Sequence, residues 1–320
     1  MVPVRAGRPG GYGGRTDGYP WPPNVVEVPA DEVRSERLDC LLFQSKRNWT
    51  DDQFEILSGE QRRLPRIYLE HDPPRESPTD TRHHVDDPDV LLVHCTGFND
   101  LMWDSGRSPT RVIDHGVLAP DGVTYGGELE RGVVVVNGLA TRGRRLGADL
   151  FERARRDVPL DLVGLESEHA GGLGALAHAD LPAFEARYRF FFNPIRYTSL
   201  GLSIIEAMMV GLPIVALATT EIPTVIENGR SGITSTSVDE LIDGMRLLLR
   251  SPQEAQRLGE AGRKVARERF AIGRFVGDWD RAFRDVVGRR GLTTGAELSG
   301  AVLRERRTRQ PDESHVSVVS

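Results

Sequence analysis

Cysteine is scarce in this chain, and the two that it has, Cys40 and Cys95, share no short spacing. That excludes a disulfide framework and a thiolate metal site, and it fits buried free thiols in a reducing cytoplasm. Long apolar runs are missing too: none approaches the roughly 18–20 residues that span a bilayer. The first residues lack the basic-then-apolar pattern of a secretory signal. A cytoplasmic location is therefore the expectation, with membrane attachment left open. Excess positive charge is also absent. Lysine plus arginine, 41, less aspartate plus glutamate, 47, leaves −6, which offers no nucleic-acid footprint. No Ser-His-Asp or metal-ligand spacing stands out.

What is present reads as a globular chain. Its 320 residues, 39% hydrophobic with 34 glycines, suffice for two domains with a sizeable core. Residues 1–23 are rich in glycine and proline, have no period, and read as loop or disorder. Strands are predicted at Val25–Val28, Leu38–Phe43, Arg66–Leu69, Val90–His94 and Thr110–Ile113, with a polar helix over 51–63. That alternation predicts a parallel α/β sheet in a domain over 24–120. The proline- and glycine-bearing stretch 118–132 reads as a linker.

A second α/β domain, over 121–288, is predicted to start with a strand at Val133–Val136. A helix over 147–157 and a strand at Leu160–Gly164 follow. Later helices are predicted over 238–250, opened by Ser237, over 252–269 and over 270–287. Residues 289–320 are polar, mixed in charge, and read as a disordered tail.

The most informative stretch is 186–233. Tyr188–Phe192 suits a buried strand, and Asn193-Pro194 ends it. Thr198 or Ser199 is a candidate N-cap for a helix over 200–210, with Gly211 as its C-cap and Pro213 blocking continuation. Leu202, Ile205 and Met209 lie at helical spacing and predict an inward stripe, and Glu206 sits on or beside it. A carboxylate there needs a partner, because an unpaired buried charge costs several kcal/mol. Two accounts remain open at this point: a structural ion pair with an arginine, or a carboxylate that accepts ligand hydroxyls below a helix N-terminus open to phosphate.

The run Gly201–Ala216, GLSIIEAMMVGLPIVA, resembles the donor-binding signature of retaining, family four-type glycosyltransferases of the GT-B fold. There, a glutamate, seven residues and a second glutamate precede Ala-Met and Gly-x-Pro-x-Val. The second glutamate matches Glu206, which the resemblance assigns to the nucleotide ribose. The first falls at Thr198, with Ser199 where glycine is usual, and the Gly-Gly after the next strand falls near Thr219-Thr220-Glu221. Ile113–Val117 resembles the family's junction turn, where backbone matters more than the side chain of His115.

The resemblance implies an α/β GT-B protein, two Rossmann-like domains facing a cleft, with the N-terminal domain shortened. The helix over 270–287 resembles the family's terminal helix, which crosses back to that N-terminal domain. The activity implied is transfer of a sugar from a nucleotide-diphosphate-sugar, with retention, without metal and without a cofactor beyond that co-substrate. The acceptor is left as a glycan, lipid or small molecule, and nucleic acid is not expected. Donor contacts are implied at Thr198, Ser199, Leu200, Gly201 and Glu206. Asn137–Leu150, between a strand and a helix, carries three arginines and no lysine. The family clamps the donor diphosphate here, which points to Arg142 and Arg145. His71, just past a strand end, and Thr198 stand at positions implied to be catalytic, and His94 is a weaker parallel to His71.

Thr198 in place of the first glutamate keeps a second class open, a catalytically impaired nucleotide-sugar-binding or regulatory protein. A sugar-nucleotide epimerase would share the fold but matches the signature less well. The loop-like start, where the family opens with a buried strand and glycine-rich loop, predicts that the natural frame extends upstream or that the chain is poorly active as given; the competing account is that residues 1–23 form a replacement element that covers the gap.

Overall fold

The computed structural model describes residues 1–5, 14–15 and 21–297, with side chains to residue 288. The chain forms two units. The first takes in residues 1–94, 99–113 and 277 onward; the second takes in 95–98 and 114–276.

In the first unit, β1 (Val2–Val4) pairs in parallel with β2 (Glu27–Pro29), Val2 opposite Glu27. The expected loop at the N-terminus is therefore a strand over Val2–Val4, and the expected strand at Val25–Val28 begins two residues later. β2 can include Pro29 because it has one neighbour and its outer side needs no ladder donor. The rest of 1–23, apart from residues 1–5, 14–15 and 21–23, lies outside the described residues.

A four-stranded parallel sheet follows, ordered β3 (Leu41–Phe43), β4 (Arg66–Glu70), β5 (Val90–His94), β6 (Thr110–Val112). All five β5 residues are buried, as befits an interior parallel strand covered on both faces. Cys40 and Cys95 are both buried free thiols, each one residue outside a strand. The single polar helix expected over 51–63 is broken. A π-turn at Asn48–Asp52 runs into α1 (Gln53–Ile56), which stops where Leu57 turns extended (φ −103°, ψ 145°). A separate 3-10 turn at Gln61–Arg63 is then started by a capping box: Gln61 N donates to Ser58 Oγ at 3.1 Å, and Ser58 N donates to Gln61 Oε1 at 2.9 Å. A further helix, α2, spans Gly97–Met102.

In the second unit, five parallel strands are ordered β11-β10-β9-β7-β8. They are β7 (Leu129–Val135), β8 (Leu160–Val163), β9 (Tyr188–Asn193), β10 (Ile214–Leu217) and β11 (Ile233–Ser235). β9 is buried at all six positions. Period-two alternation sends Phe190 and Phe192 to the apolar layer with Val134, Phe151 and Leu241, and Phe191 to the opposite layer with Val133, Ile205 and Met208. A side chain on Gly132 of β7 would meet the Phe190 ring at 2.2 Å, so the absence of Cβ lets these two strands pair.

The helices of this unit are α3 (Leu139–Leu146), α4 (Ala148–Ala154), α5 (Leu181–Glu185), α6 (Leu202–Val210), α7 (Ile222–Val225), α8 (Val238–Arg250) and α9 (Pro252–Arg269). The N-cap of α6 is Gly201 rather than Thr198 or Ser199. Of the expected stripe, Ile205 and Met209 are buried, but Leu202, in the first turn, is 47% exposed. α10 (Ile272–Glu297) runs ten residues beyond the expected end at 287, so the start of the expected disordered tail is helical, and 298–320 lie outside the described residues. From Gly277 on, α10 belongs to the first unit. Among the described residues no helix is long and apolar enough to cross a membrane.

Candidate functional site

The strand order of the second unit contains one reversal. From β7 the chain moves to β8 on one side, then returns across to β9 on the other. In an open parallel sheet such a switch leaves a crevice at the strands' carboxyl ends. A cavity of about 520 Å³ lies there. It is lined by Val135–Asn137 after β7, Val163–Leu165 after β8, and Ile195 and Thr198 after β9. Gly201, Ser203 and Glu206 of the α6 region, Arg142, His178 and an apolar wall of Ala175, Leu176 and Leu181 complete it.

Glu206 is the carboxylate of this cavity. Its side chain is 17% exposed, and Oε1 lies 2.9 Å from Nε2 of the more exposed His178. Neither account left open for Glu206 fits alone. The carboxylate is partnered, but by a histidine and not an arginine, and it faces a ligand-sized space. Above it, α6 begins at Gly201 in an extended conformation (φ −65°, ψ 137°) with no side chain capping the first turn. Those first amides project a partial positive charge suited to an anion.

The residues expected to touch a donor divide into two groups. Thr198, Gly201, Glu206 and Arg142 line the cavity. Ser199 and Leu200 do not. Ser199 is buried with Oγ 3.0 Å from Cys95 Sγ, and Leu200 packs in the core layer of Ile204 and Ile205. Arg145 is also not part of the lining. Its guanidinium donates to Tyr197 O at 3.4 Å, and its carbonyl accepts from Arg196 N at 3.0 Å, so it braces the loop after β9. Arg144 and Arg196 both reach Asp149, at 2.7 and 2.6 Å. The Arg196 hydrogen bonds hold the Asp149 carboxyl below its ordinary range.

Arg142 makes a 3.5 Å contact to Asn137 O, and no carboxylate among the described residues pairs with it. Two left-handed glycines shape this segment, Gly138 (φ 59°) at the helix start and Gly143 (φ 59°, ψ −140°) kinking it directly after Arg142.

His71 and His94 belong to the first unit and are not part of the cavity lining. His71 Nε2 lies 3.1 Å from Gln44 Oε1, and burial lowers its pKa. His94 is fully buried, with Nε2 3.4 Å from Ser105 Oγ, and burial pushes its imidazole down to about 4. The Glu70 carboxylate accepts from Asp72 N at 2.9 Å and lies 3.0 Å from His83, so it stiffens the turn that carries His71.

Sequence reasoning missed His178, which sits in the aperiodic segment between β8 and α5, and the apolar wall around Leu165, Leu176 and Leu181. Thr220 also stands out. It adopts φ 52°, a left-handed conformation that favours glycine, at the place where the resemblance expects glycine. The next residue, Glu221, is buried and accepts from Phe98 N and Arg269, each at 2.8 Å. Among the described residues no group of three or more histidine, cysteine, aspartate or glutamate side chains is placed to hold a metal ion.

Residues 166–265 match the family model described as glycosyl transferases group 1. The chain is 29% identical over 210 residues to an MMP α-(1→4)-mannosyltransferase of Mycolicibacterium hassiacum, a match covering 58% of this chain and 51% of the relative. It is 27% identical over 217 residues to an α-maltose-1-phosphate synthase of Mycolicibacterium smegmatis, covering 58% and 54%. The chain thus spans about half the length of these curated relatives. Among solved structures, sucrose-phosphate synthase from Thermosynechococcus elongatus superposes with a TM-score of 0.63 at 16% identity, covering 78% of this chain and 74% of that one. Anabaena HepE, solved in complex with UDP and glucose, superposes with a TM-score of 0.58 at 16% identity, covering 76% and 77%. The likeness to these solved structures shows a GT-B fold for the chain, and the match to glycosyl transferases group 1 lies within it, over residues 166–265.

Proposed function

We propose that this chain is a glycosyltransferase whose second unit holds a nucleotide-diphosphate-sugar donor in the cavity beside β7. The observation that carries the reading is the joint presence, at the sheet's switch point, of Glu206, Arg142 and the uncapped start of α6 around one cavity. Its volume falls in the range of about 300–1,000 Å³ usual for small-molecule sites. Glu206 accepts hydrogen bonds from the two adjacent ribose hydroxyls. The base lies against Leu165, Leu176 and Leu181, and the diphosphate lies between Arg142 and the first amides of α6.

In the transfer, the bond between the anomeric carbon and the β-phosphate oxygen breaks, and the nucleoside diphosphate leaves with the electron pair. The acceptor hydroxyl oxygen bonds to the anomeric carbon, and its proton passes to the departing phosphate oxygen. Arg142 and the α6 amides stabilise the charge that grows on the leaving phosphate, so the reading includes no metal. Retention of configuration at the anomeric carbon, as the resemblance implies, is part of the same proposal. Thr198, on the cavity wall, lies where the leaving phosphate or the sugar would be and is the hydroxyl assigned to contact it. The names of the curated relatives, both transferring or synthesising glycosides, and the UDP complex of HepE support this class of ligand.

The test is a screen of UDP-, GDP- and ADP-sugars with the intact chain, following nucleoside diphosphate release and thermal shift. The expected result is stabilisation by one base series and slow donor hydrolysis without acceptor. Absence of binding by every nucleoside diphosphate and every sugar donor at millimolar concentration overturns the reading.

A further inference from the structure

Glu185 closes α5, four residues after Leu181, so both lie on the same face of that helix. Leu181 lines the cavity, and α5 packs against α6, the helix of Glu206. Glu185 is fully buried, and neither of its carboxyl oxygens has a hydrogen-bond partner among the described residues. Burial first, and then the charge of Glu206, push its carboxyl well above the ordinary range. A buried polar group left unsatisfied costs about 1–3 kcal/mol, and such groups in native folds call for a reason. An apolar residue of similar volume would serve packing better. The existing partner of Glu206, His178, engages its Oε1 and is the more exposed of the two side chains.

We propose that Glu185 is a positioning residue for Glu206: its carboxyl O–H, on the helix packed against α6, holds the Glu206 carboxylate towards the cavity once a ligand diol has taken the place of His178. The inference rests on the donor-site reading above. A neutral acid can donate one hydrogen bond to a carboxylate without adding a second buried negative charge. The ligand-bound state then satisfies a group that the free protein leaves unpaired. Binding of an adjacent-diol ligand is coupled to it, and binding of a ligand without the diol is not.

The experiment measures UDP, GDP and ADP binding to the full chain by calorimetry, then compares the tightest with its 2′,3′-dideoxy analogue. Wild type is expected to favour the ribonucleotide. Glu185→Met, close in volume and unable to donate, is expected to lose about tenfold of that preference while melting at a higher temperature. Glu185→Gln, which can donate, is expected to restore the preference. Glu185→Leu replaces the methionine variant should that fail to fold. A methionine or leucine variant with wild-type preference for the diol, or one that loses affinity equally for both analogues, overturns the proposal and leaves the donor site standing. A wild-type chain that binds no nucleoside diphosphate overturns both.

Discussion

His178 Nε2 lies 2.9 Å from Glu206 Oε1, so the carboxylate facing the cavity is engaged from the solvent side. Glu206→Ala is therefore expected to weaken nucleoside diphosphate binding by roughly ten- to a hundredfold, the cost of about 1.5–3 kcal/mol for losing bonds to a charged acceptor. His178→Ala is expected to change affinity far less, since the ligand replaces that contact. Calorimetry on both variants checks the order. Equal losses would make the pair a unit and remove the ribose assignment from Glu206.

The two arginines singled out in the sequence separate in the structure. Arg142→Ala is expected to weaken a nucleoside diphosphate more than the bare nucleoside, with less dependence on salt than wild type. Arg145→Ala is expected to lower thermal stability and to reduce both ligands alike, because it holds the Tyr197 carbonyl rather than the cavity. The ratio of the two ligand affinities in each variant distinguishes the roles.

Gly147 ends α3 with φ 85°, and a Cβ there would stand 2.0 Å from Pro194 O. Gly147→Ala is expected to destabilise the second unit by about 2–3 kcal/mol through the clash and the left-handed backbone. Thr220→Gly is expected to do the reverse, by about 0.5–1 kcal/mol, since glycine holds φ 52° without strain. Urea unfolding of the two variants reads both signs.

Asp149 gives a pH dependence. Its folded pKa is depressed, chiefly by hydrogen bonds from Arg196, so its contribution to stability is fully present above the unfolded value of about 3.9. That contribution fades as pH falls through the folded value. Asp149→Asn is expected to melt below wild type at neutral pH and to converge with it in acid. A melting difference that stays constant from neutral pH down to about pH 2 contradicts the linkage.

The donor reading assigns the diphosphate charge to Arg142 and to backbone amides. Chelation by EDTA is thus expected to leave nucleoside diphosphate affinity within about twofold of its value in magnesium. Loss of binding on chelation, restored by a divalent ion, would assign the charge to a metal instead.

Legibility in the sequence followed locality. α8 and α9 begin and end where their serine caps and proline place them, with Ser237 and Ser251 each accepting from an amide three residues on, at 3.4 Å. β5 and β9 were visible as apolar runs. The pairing of β1 with β2 was not, because β1 lies in a stretch whose own composition is loop-like. The capping box at Ser58 and Gln61 was overlooked inside a stretch that looked continuously helical. His178 carries no local mark, as its partner is on another element. Arg189 shows the same limit. It is buried as the second residue of β9, donating to Gly127 O at 2.9 Å and Leu249 O at 3.0 Å, and nothing in its neighbours' periodicity tells that an arginine there faces inward.

The place of β7 between β8 and β9 sets an order of events in time. β7 is synthesised before every other strand of its sheet, yet one of its two neighbours, β9, follows only after β8 and α5. Until β9 arrives, Val133 and Val134 present an open apolar edge, and β10 and β11 can add only outward from β9. Parallel pairing over such sequence separations is slow to close. Pairing of Tyr188–Asn193 is therefore the step on which assembly of this unit is expected to wait, and substitutions there are expected to act on the rate of folding as well as on the finished core.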